Sequence, residues 1–185
     1  MKNKIGFYIG IFFFILFLFS CNSKSNELEE YIIISEIINH SYGKKSDDEN
    51  RLGWIDSTKT YNSLLVLDHT NLREFDLETL NQYLIFNNLK DFSIEDFKVK
   101  KKWDMTKIKE FNRYKLEVMN GQSIKSPYIG MIQISSISFN KEINKAIVYT
   151  SFLCSGNADC GEGLVYHLKK GNKWEVKKVE SLWES

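Results

Sequence analysis

The stretch KAIVYTSFLCSGNADCGEGLVYHLKKGNKWEVKKVESLW, residues 145–183, decides the fold. Three apolar-rich runs cover residues 145–153, 163–170 and 173–183. A polar loop with two cysteines separates the first two runs, and Gly171-Asn172, a two-residue hairpin signal, marks the second break. With the similar run 131–140 just before them, these segments predict four consecutive antiparallel strands.

Helical patterns precede this region. Residues 26–42, NELEEYIIISEIINHSY, place apolar side chains near helical spacing behind a possible cap at Asn26. A second helix is predicted to begin at Asp76, and residues 61–68 predict a buried strand. Helices before an antiparallel meander are typical of the α+β class. We therefore expect an α+β fold with N-terminal helices packed on an antiparallel C-terminal β-meander sheet, one face of which the helices bury.

The first 21 residues, MKNKIGFYIGIFFFILFLFSC, have the layout of a secretory signal peptide. Lys2 and Lys4 precede an uncharged apolar run, which is shorter than the roughly 20 residues of a membrane-spanning helix. Its end, Leu18-Phe19-Ser20-Cys21, resembles the lipobox of bacterial lipoproteins. The resemblance implies cleavage before Cys21 and lipid on its thiol. It divides the chain into a signal peptide (1–20), a lipidated cysteine with a short tether (21–26) and one α+β domain (27–185).

This resemblance also implies a location, with a membrane as the partner of the lipid on Cys21. A lipid on Cys21 would hold the protein on the cell membrane or outer membrane of a bacterium, facing the periplasm or the exterior. The chain has 25 basic and 24 acidic residues, and the loss of Lys2 and Lys4 with the signal peptide leaves the two signs almost balanced. No overall positive field would attract nucleic acid, so a nucleic-acid partner is not expected.

The chain contains three cysteines. If lipid occupies Cys21, Cys154 and Cys160 remain as an even pair in an exported protein, which predicts a disulfide. A redox pair and a zinc site with His167 and Asp159 are alternatives that the spacing fits less well. The bridge would hold a polar loop in place, and Asn157, Asp159 and Glu162 are its candidate contact residues.

Short motifs of the C-terminal half resemble a family of uncharacterised exported bacterial proteins. The motifs are Phe139-Asn140, the run 145–149, the run 160–163, Lys173-Trp174 and the run 183–185. The resemblance implies the meander and an exported location, and it carries no activity.

The sequence contains no nucleophile elbow, phosphate-binding loop or HExxH zinc motif. The leading interpretation is a non-enzymatic binding module for a protein or a small ligand, without metal or cofactor. One alternative is an inhibitor or immunity protein that uses the Cys154–Cys160 loop. Another is an enzyme with a pocket between the first helix and the sheet.

Two further features point to the surface of the domain. His167 lies in a predicted strand with apolar neighbours on both sides, so we expect it on the solvated face of the sheet. The basic run 98–102, KVKKK, is expected to form a solvated face. Contact with anionic lipid headgroups is the alternative interpretation of this run.

Overall fold

The computed structural model describes residues 26–43, 62–109, 114–121, 124–125, 127–155 and 160–185. Helix α1 spans residues 26–38 and continues as a π-helical turn, Asn39–Gly43, which confirms the first predicted helix. The other helical elements are α2 (Glu74–Phe86), α3 (Ile94–Phe97) and a 3₁₀ turn (Met105–Lys107). The strands are β1 (Ser63–Leu67), β2 (Lys115–Val118), β3 (Tyr128–Ile134), β4 (Ser138–Phe139), β5 (Lys145–Cys154), β6 (Gly161–Lys170) and β7 (Trp174–Glu184).

The strands form one mixed sheet in the order β2-β1-β3-β5-β6-β7, with β4 also paired to β5. All pairings from β3 to β7 are antiparallel. The predicted meander and the α+β class are therefore confirmed. Strand β1 adds a parallel part to the sheet, because it pairs in parallel with both β2 and β3.

The predicted strand 131–140 is interrupted in its middle. Strands β3 and β4 both pair with β5, and Ser135 to Ile137 separate them. The Ser135 hydroxyl accepts a hydrogen bond from the backbone of Tyr149 at 3.0 Å and donates one to the carbonyl of Ser136. Serine side chains offer the backbone such alternatives to a regular ladder, which explains the break.

Both faces of the sheet are buried, whereas the sequence predicted burial of one. Along β5, Val148 and Phe152 pack in the core beneath α1, and Ile147 and Tyr149 pack in a second core beneath α2. This alternation follows the two-residue period of a strand. The second face is covered because α2 and α3, which follow β1 in the chain, lie across it.

The two ends of the sheet differ, and we name them by what they carry. The disulfide end carries Cys154 and Cys160, whose Cα atoms are 5.4 Å apart in a disulfide bond. This bridge confirms the predicted pairing, and closure of so short a loop stabilises the fold by about 2 kcal/mol on the chain-entropy model. The opposite end, here called the hairpin end, carries the β4–β5 turn (140–144) and the β6–β7 hairpin (171–173).

Acidic residues at the start of α1 attach the helix to the hairpin end. Their partners are Lys107 for Glu27 at 2.7 Å, Lys170 for Glu29 at 2.7 Å and Lys101 for Glu30 at 2.5 Å. Trp174 also donates its indole N–H to Glu29. Carboxylates in the first turn interact favourably with the positive end of the helix dipole. These contacts also hold the first turn of the helix against the hairpin end.

Helix α2 is held at its start by a buried carboxylate. The helix begins at Glu74, two residues before the predicted start, and Asp76 is fully buried. Arg73 contacts both Asp76 oxygens, at 2.8 and 3.1 Å, and the Tyr149 hydroxyl donates to the same carboxylate. Trp183 in turn donates to the Tyr149 oxygen at 2.8 Å. Asp76 therefore binds Arg73, which directly precedes α2, and Tyr149 of β5 rather than capping the helix.

Gly163 makes room for this network. A Cβ atom at this position would lie 2.0 Å from Nε1 of Trp183, the residue opposite it on β7. The glycine therefore serves close packing of an indole in the sheet.

We predict that Asp76→Ala lowers the free energy of unfolding by about 1–3 kcal/mol, because the Tyr149 hydroxyl would lose its acceptor inside the core. Urea denaturation measures the change. Glu78→Ala, an exposed substitution in the same helix, is the matched control. Equal effects of the two substitutions would contradict a structural role for the buried carboxylate.

Candidate functional site

A cavity of about 360 Å³ lies on the α2 face of the sheet, at the hairpin end. We call it the lysine groove. Its walls are residues 88–92, which follow α2, and the ends of β5, β6 and β7. The apolar side chains of Leu89 and Phe92 line it, together with Ala146 and Leu168, whose side chains pack in the core beneath α1. A second cavity of similar size, lined by residues of α2 and by Ile94, shares part of this wall.

The groove exists because α2 ends in a tight reversal. The backbone N–H of Asn88 donates to Ile85, and that of Leu89 donates to Leu84, each at 3.0 Å. Asn88 has a φ of 53°, and asparagine tolerates this left-handed conformation. The pattern is that of a Schellman motif with asparagine after the cap. The chain then turns back over the sheet and leaves the hairpin end of the α2 face open.

Lysines line the rim of the groove. Lys90, Lys145, Lys169 and Lys177 line it and are exposed. Lys145 and Lys169 are directly opposite each other on β5 and β6, an arrangement that like charges disfavour. Within the described residues, Lys90, Lys145 and Lys169 form no ion pair with a carboxylate, whereas Lys177 pairs with Glu175 at 2.5 Å. Asp91 is the acidic residue of the lining. The rim is therefore positive and suits an anion.

His167 forms the inner wall of the groove, so its predicted place on a solvated face is wrong. Its Nε2 atom lies 2.7 Å from the Tyr83 hydroxyl and 3.2 Å from Oε2 of Glu180. Helix α2 covers this part of the sheet, and Tyr83 comes from that helix. Lys178 contacts the other Glu180 oxygen at 2.8 Å.

The hydrogen bonds assign the proton positions in this cluster. Tyr83 donates its hydroxyl proton to Glu180, so His167 must donate to the Tyr83 oxygen from Nε2. Burial lowers the pKa of His167 despite the nearby Glu180 carboxylate. Burial also raises the pKa of Tyr83, and the Glu180 carboxylate adds to this shift. Burial would raise the pKa of Glu180 as well, but hydrogen bonds from Lys178 and Tyr83 outweigh it, and the net shift is downward.

These assignments limit what the cluster can do chemically. At neutral pH, a neutral imidazole, a neutral phenol and a carboxylate satisfy one another. Their arrangement links α2 to β6 and β7 and gives the groove a rigid inner wall. The chemistry available to a ligand is therefore ionic contact with the lysine rim and apolar contact with Leu89 and Phe92.

The predicted contact residues lie elsewhere or outside the described part of the chain. Cys21, Asn157 and Asp159 are outside it. Glu162 belongs to β6, where it pairs with Phe152 and Glu184 at the disulfide end. The structure therefore does not bring Glu162 together with the lysine groove, which lies at the other end of the sheet.

Sequence reasoning missed the lysines of the groove, although one signal was present. Lys145 and Lys169 stand at strand ends next to predicted turns, and the register of the β5–β6 hairpin makes them opposite neighbours. That register depends on how the cysteine loop closes, which the sequence pattern alone left open.

The structure bears on two alternatives from the sequence, a pocket between the first helix and the sheet and a zinc site. The space between α1 and the sheet is filled by α1 side chains that are fully buried, among them Ile33, Ile34, Ile37 and Ile38. Across the described ranges, no group of three His, Cys, Asp or Glu side chains is placed to hold a metal ion. His167, weighed above as a zinc ligand, is bonded to Tyr83 and Glu180 instead.

No family model, curated protein or solved structure matches this chain. The resemblances to bacterial lipoproteins and to the exported family stay predictions from the sequence. Within the described residues, no helix has both the length and the apolar composition that crossing a bilayer requires. The apolar run 5–19 lies outside those residues.

We predict that His167 makes the fold less stable in mild acid. Its folded pKa is lower than the unfolded value near 6.5, so the unfolded chain takes up the proton first. The free energy of unfolding should therefore fall as the pH drops below about 6.5, until the folded pKa is reached. Denaturation of the wild type and of His167→Gln at several pH values between about 5 and 7 tests this. The same pH dependence in both proteins would contradict it.

Proposed function

We propose that the protein is a lipid-anchored protein of the bacterial cell envelope whose domain is a non-enzymatic binding module. The lysine groove is its ligand site, and the ligand is an anion with an apolar part. The observation that carries this proposal is the combination of a lysine rim with the apolar side chains of Leu89 and Phe92 on the groove wall.

The sequence of residues 1–21 supports the anchor. A basic start, an apolar run and a terminal cysteine occur together there, as in bacterial lipoproteins. A bilayer holds a protein stably when two or more acyl chains are attached, because each buried CH₂ contributes about 0.8 kcal/mol. Lipidation of Cys21 would place the domain on the cell membrane or outer membrane, facing the periplasm or the exterior.

The arrangement of the rim supports an anionic ligand. Lys145 and Lys169 repel each other across β5 and β6, and an anion between them would relieve that repulsion. The side chains of Leu89 and Phe92 would bind a hydrocarbon or aromatic part of the same ligand. An acidic and partly apolar segment of a protein would satisfy the same two requirements.

The disulfide favours a second candidate function. The bond between Cys154 and Cys160 fixes the ends of the polar loop that joins β5 to β6. An inhibitor or immunity protein could insert such a loop into the cleft of a foreign enzyme. Co-purification from intact envelopes separates the candidates. One stoichiometric enzyme, lost when the loop is replaced, supports the inhibitor, and a small molecule retained by the domain supports the binding module.

The anchor is tested by labelling cells with palmitate. We predict that the full chain incorporates the label and fractionates with membranes, whereas Cys21→Ala incorporates none. Cys154→Ala, which leaves Cys21 in place, is the matched control. Failure of the wild type to incorporate palmitate, or label that survives Cys21→Ala, would contradict the anchor.

The groove is tested with anilinonaphthalene sulfonate, a fluorescent aromatic anion. We predict that Lys145→Gln/Lys169→Gln weakens its binding by about tenfold, because two charge-assisted contacts are lost. The control is Lys115→Gln/Lys125→Gln, which removes the same charge at the disulfide end. Equal binding by both double variants would show that the probe binds outside the lysine groove.

A further inference from the structure

Exposed lysines from distant parts of the chain meet at the hairpin end. The backbone N–H of Lys170 donates to the carbonyl of Asn144 at 2.8 Å, which holds the β4–β5 turn beside the β6–β7 hairpin. This contact brings Lys141 of the turn and Lys173 of the hairpin to the same end as the lysine groove. Within the described residues, neither of these two exposed lysines forms an ion pair.

The basic run 98–102 also lies at the hairpin end. Strand β1 is parallel to β3 and therefore points toward this end, and the run contacts the residues that follow β1. The contacts are Thr70 N–H to the Lys101 carbonyl at 3.1 Å and Trp103 N–H to the Asp68 carbonyl at 2.7 Å. Lys98, Lys101 and Lys102 pair with Glu95, Glu30 and Asp68, respectively. Lys100 is exposed, and none of the described carboxylates pairs with it.

Large apolar side chains are exposed at the same end. Phe86 and Ile85 lie in the last turn of α2, and 85% of the surface of Phe86 is exposed. Leu28, in the first turn of α1, is 64% exposed, and Val99 lies within the basic run. Exposed apolar side chains that are surrounded by lysines are typical of surfaces that rest on a membrane.

The opposite end of the sheet has a different character. Among the described residues it carries few lysines, and Glu162 and Glu184, which are opposite each other on β6 and β7, lie there with Glu117 on β2. Lys115 is present but pairs with Glu117 at 3.4 Å. Lys125 also lies there and forms no ion pair with a described carboxylate, whereas six such lysines lie at the hairpin end: Lys90, Lys100, Lys141, Lys145, Lys169 and Lys173.

The chain enters the domain at the hairpin end as well. Helix α1 begins at residue 26, and its first turns contact Lys107 and Lys170 there. Four residues, 22–25, lie between Cys21 and the described start of this helix, and five Cα–Cα steps span at most about 17 Å when fully extended. A lipid on Cys21 would hold this end, rather than the disulfide end, near the bilayer.

We propose that the hairpin end is a membrane-docking surface for anionic phospholipid headgroups. The lysines contact the phosphates, and Leu28 and Phe86 enter the interfacial layer. The expected affinity for anionic lipid depends only on the residues of this surface. The orientation of the surface toward the membrane in the cell rests on the proposed anchor at Cys21. Lysines near an anionic bilayer surface each contribute enough binding energy for a few of them to orient a tethered domain.

Vesicle flotation tests the affinity without the lipid anchor. The probe is the chain from residue 21 with Cys21→Ser, and the vesicles contain phosphatidylcholine alone or with phosphatidylglycerol. We expect binding to the anionic vesicles that high salt removes. Lys141→Gln/Lys173→Gln should weaken this binding by about 30-fold, since each lysine near the surface contributes about 1 kcal/mol. Lys115→Gln/Lys125→Gln should leave it unchanged.

Amine labelling of the wild-type protein in its own membranes tests the orientation. Lys141 and Lys173 should react more slowly in membranes than in detergent, and Lys115 should react equally in both. Protection that persists in detergent would indicate a protein partner at this end and would overturn the proposal. Equal flotation with both kinds of vesicle, or equal weakening by both double variants, would overturn it too.

The outcomes separate this inference from the proposed function. If palmitate fails to label Cys21 while the acyl-free chain still prefers anionic vesicles, the anchor is wrong and the docking surface stands. If palmitate labels Cys21 and the vesicle preference is absent, the anchor stands and the docking surface is wrong.

Discussion

Strand β5 has to be covered on both faces, and the rest of the structure depends on this constraint. Its residues from Ala146 to Phe152 are all buried, so exposure of either face would place a row of apolar side chains in water. Helix α1 covers one face through its isoleucines, and α2 with α3 covers the other. The helices on the second face, α2 and α3, end before the sheet does. The lysine groove lies where that cover stops.

The helix on this second face is attached by polar contacts at two points. Near its start, the Asp76 carboxylate binds Arg73 and Tyr149, and near its end, Tyr83 contacts His167 and Glu180. Buried polar groups are tolerated when all of them have partners, and such networks favour one arrangement over its alternatives. Together these contacts keep α2 in one position on the sheet, and this position determines the shape of the groove beside its C-terminal turn.

The distribution of charge gives the domain two distinct ends. Its nearly balanced total hides an uneven distribution of lysines, most of which lie at the hairpin end, where several form no ion pair with a described carboxylate. The acidic residues of α1 pair with Lys101, Lys107 and Lys170, which leaves Lys100, Lys141 and Lys173 available to an external anion. A contact surface of this kind depends on which lysines the fold has already paired, and a count of charges does not reveal it.

Local signals determined much of the architecture. Apolar runs bounded by Gly171-Asn172 and by the cysteine loop were enough to predict the meander, because hairpins pair neighbouring segments. The cysteine pair was predictable too, since assigning Cys21 to lipid leaves Cys154 and Cys160 as an even pair in an exported chain. The parallel pairing of β1 was not, because its partners β2 and β3 come much later in the chain and no local pattern specifies such contacts.

By itself, the sequence determined the α+β class, the first helix and the meander, which follow from periodicity and short separations, and the disulfide, which follows from the number of cysteines in an exported chain. Only the tertiary structure decided that both sheet faces are covered and that His167 faces Tyr83, 84 residues away. It also decided that lysines from four separate segments share one end of the sheet. The physical reason is that burial and charge pairing are properties of the packed chain. A polar residue in an apolar strand looks solvated until a distant helix supplies its partner.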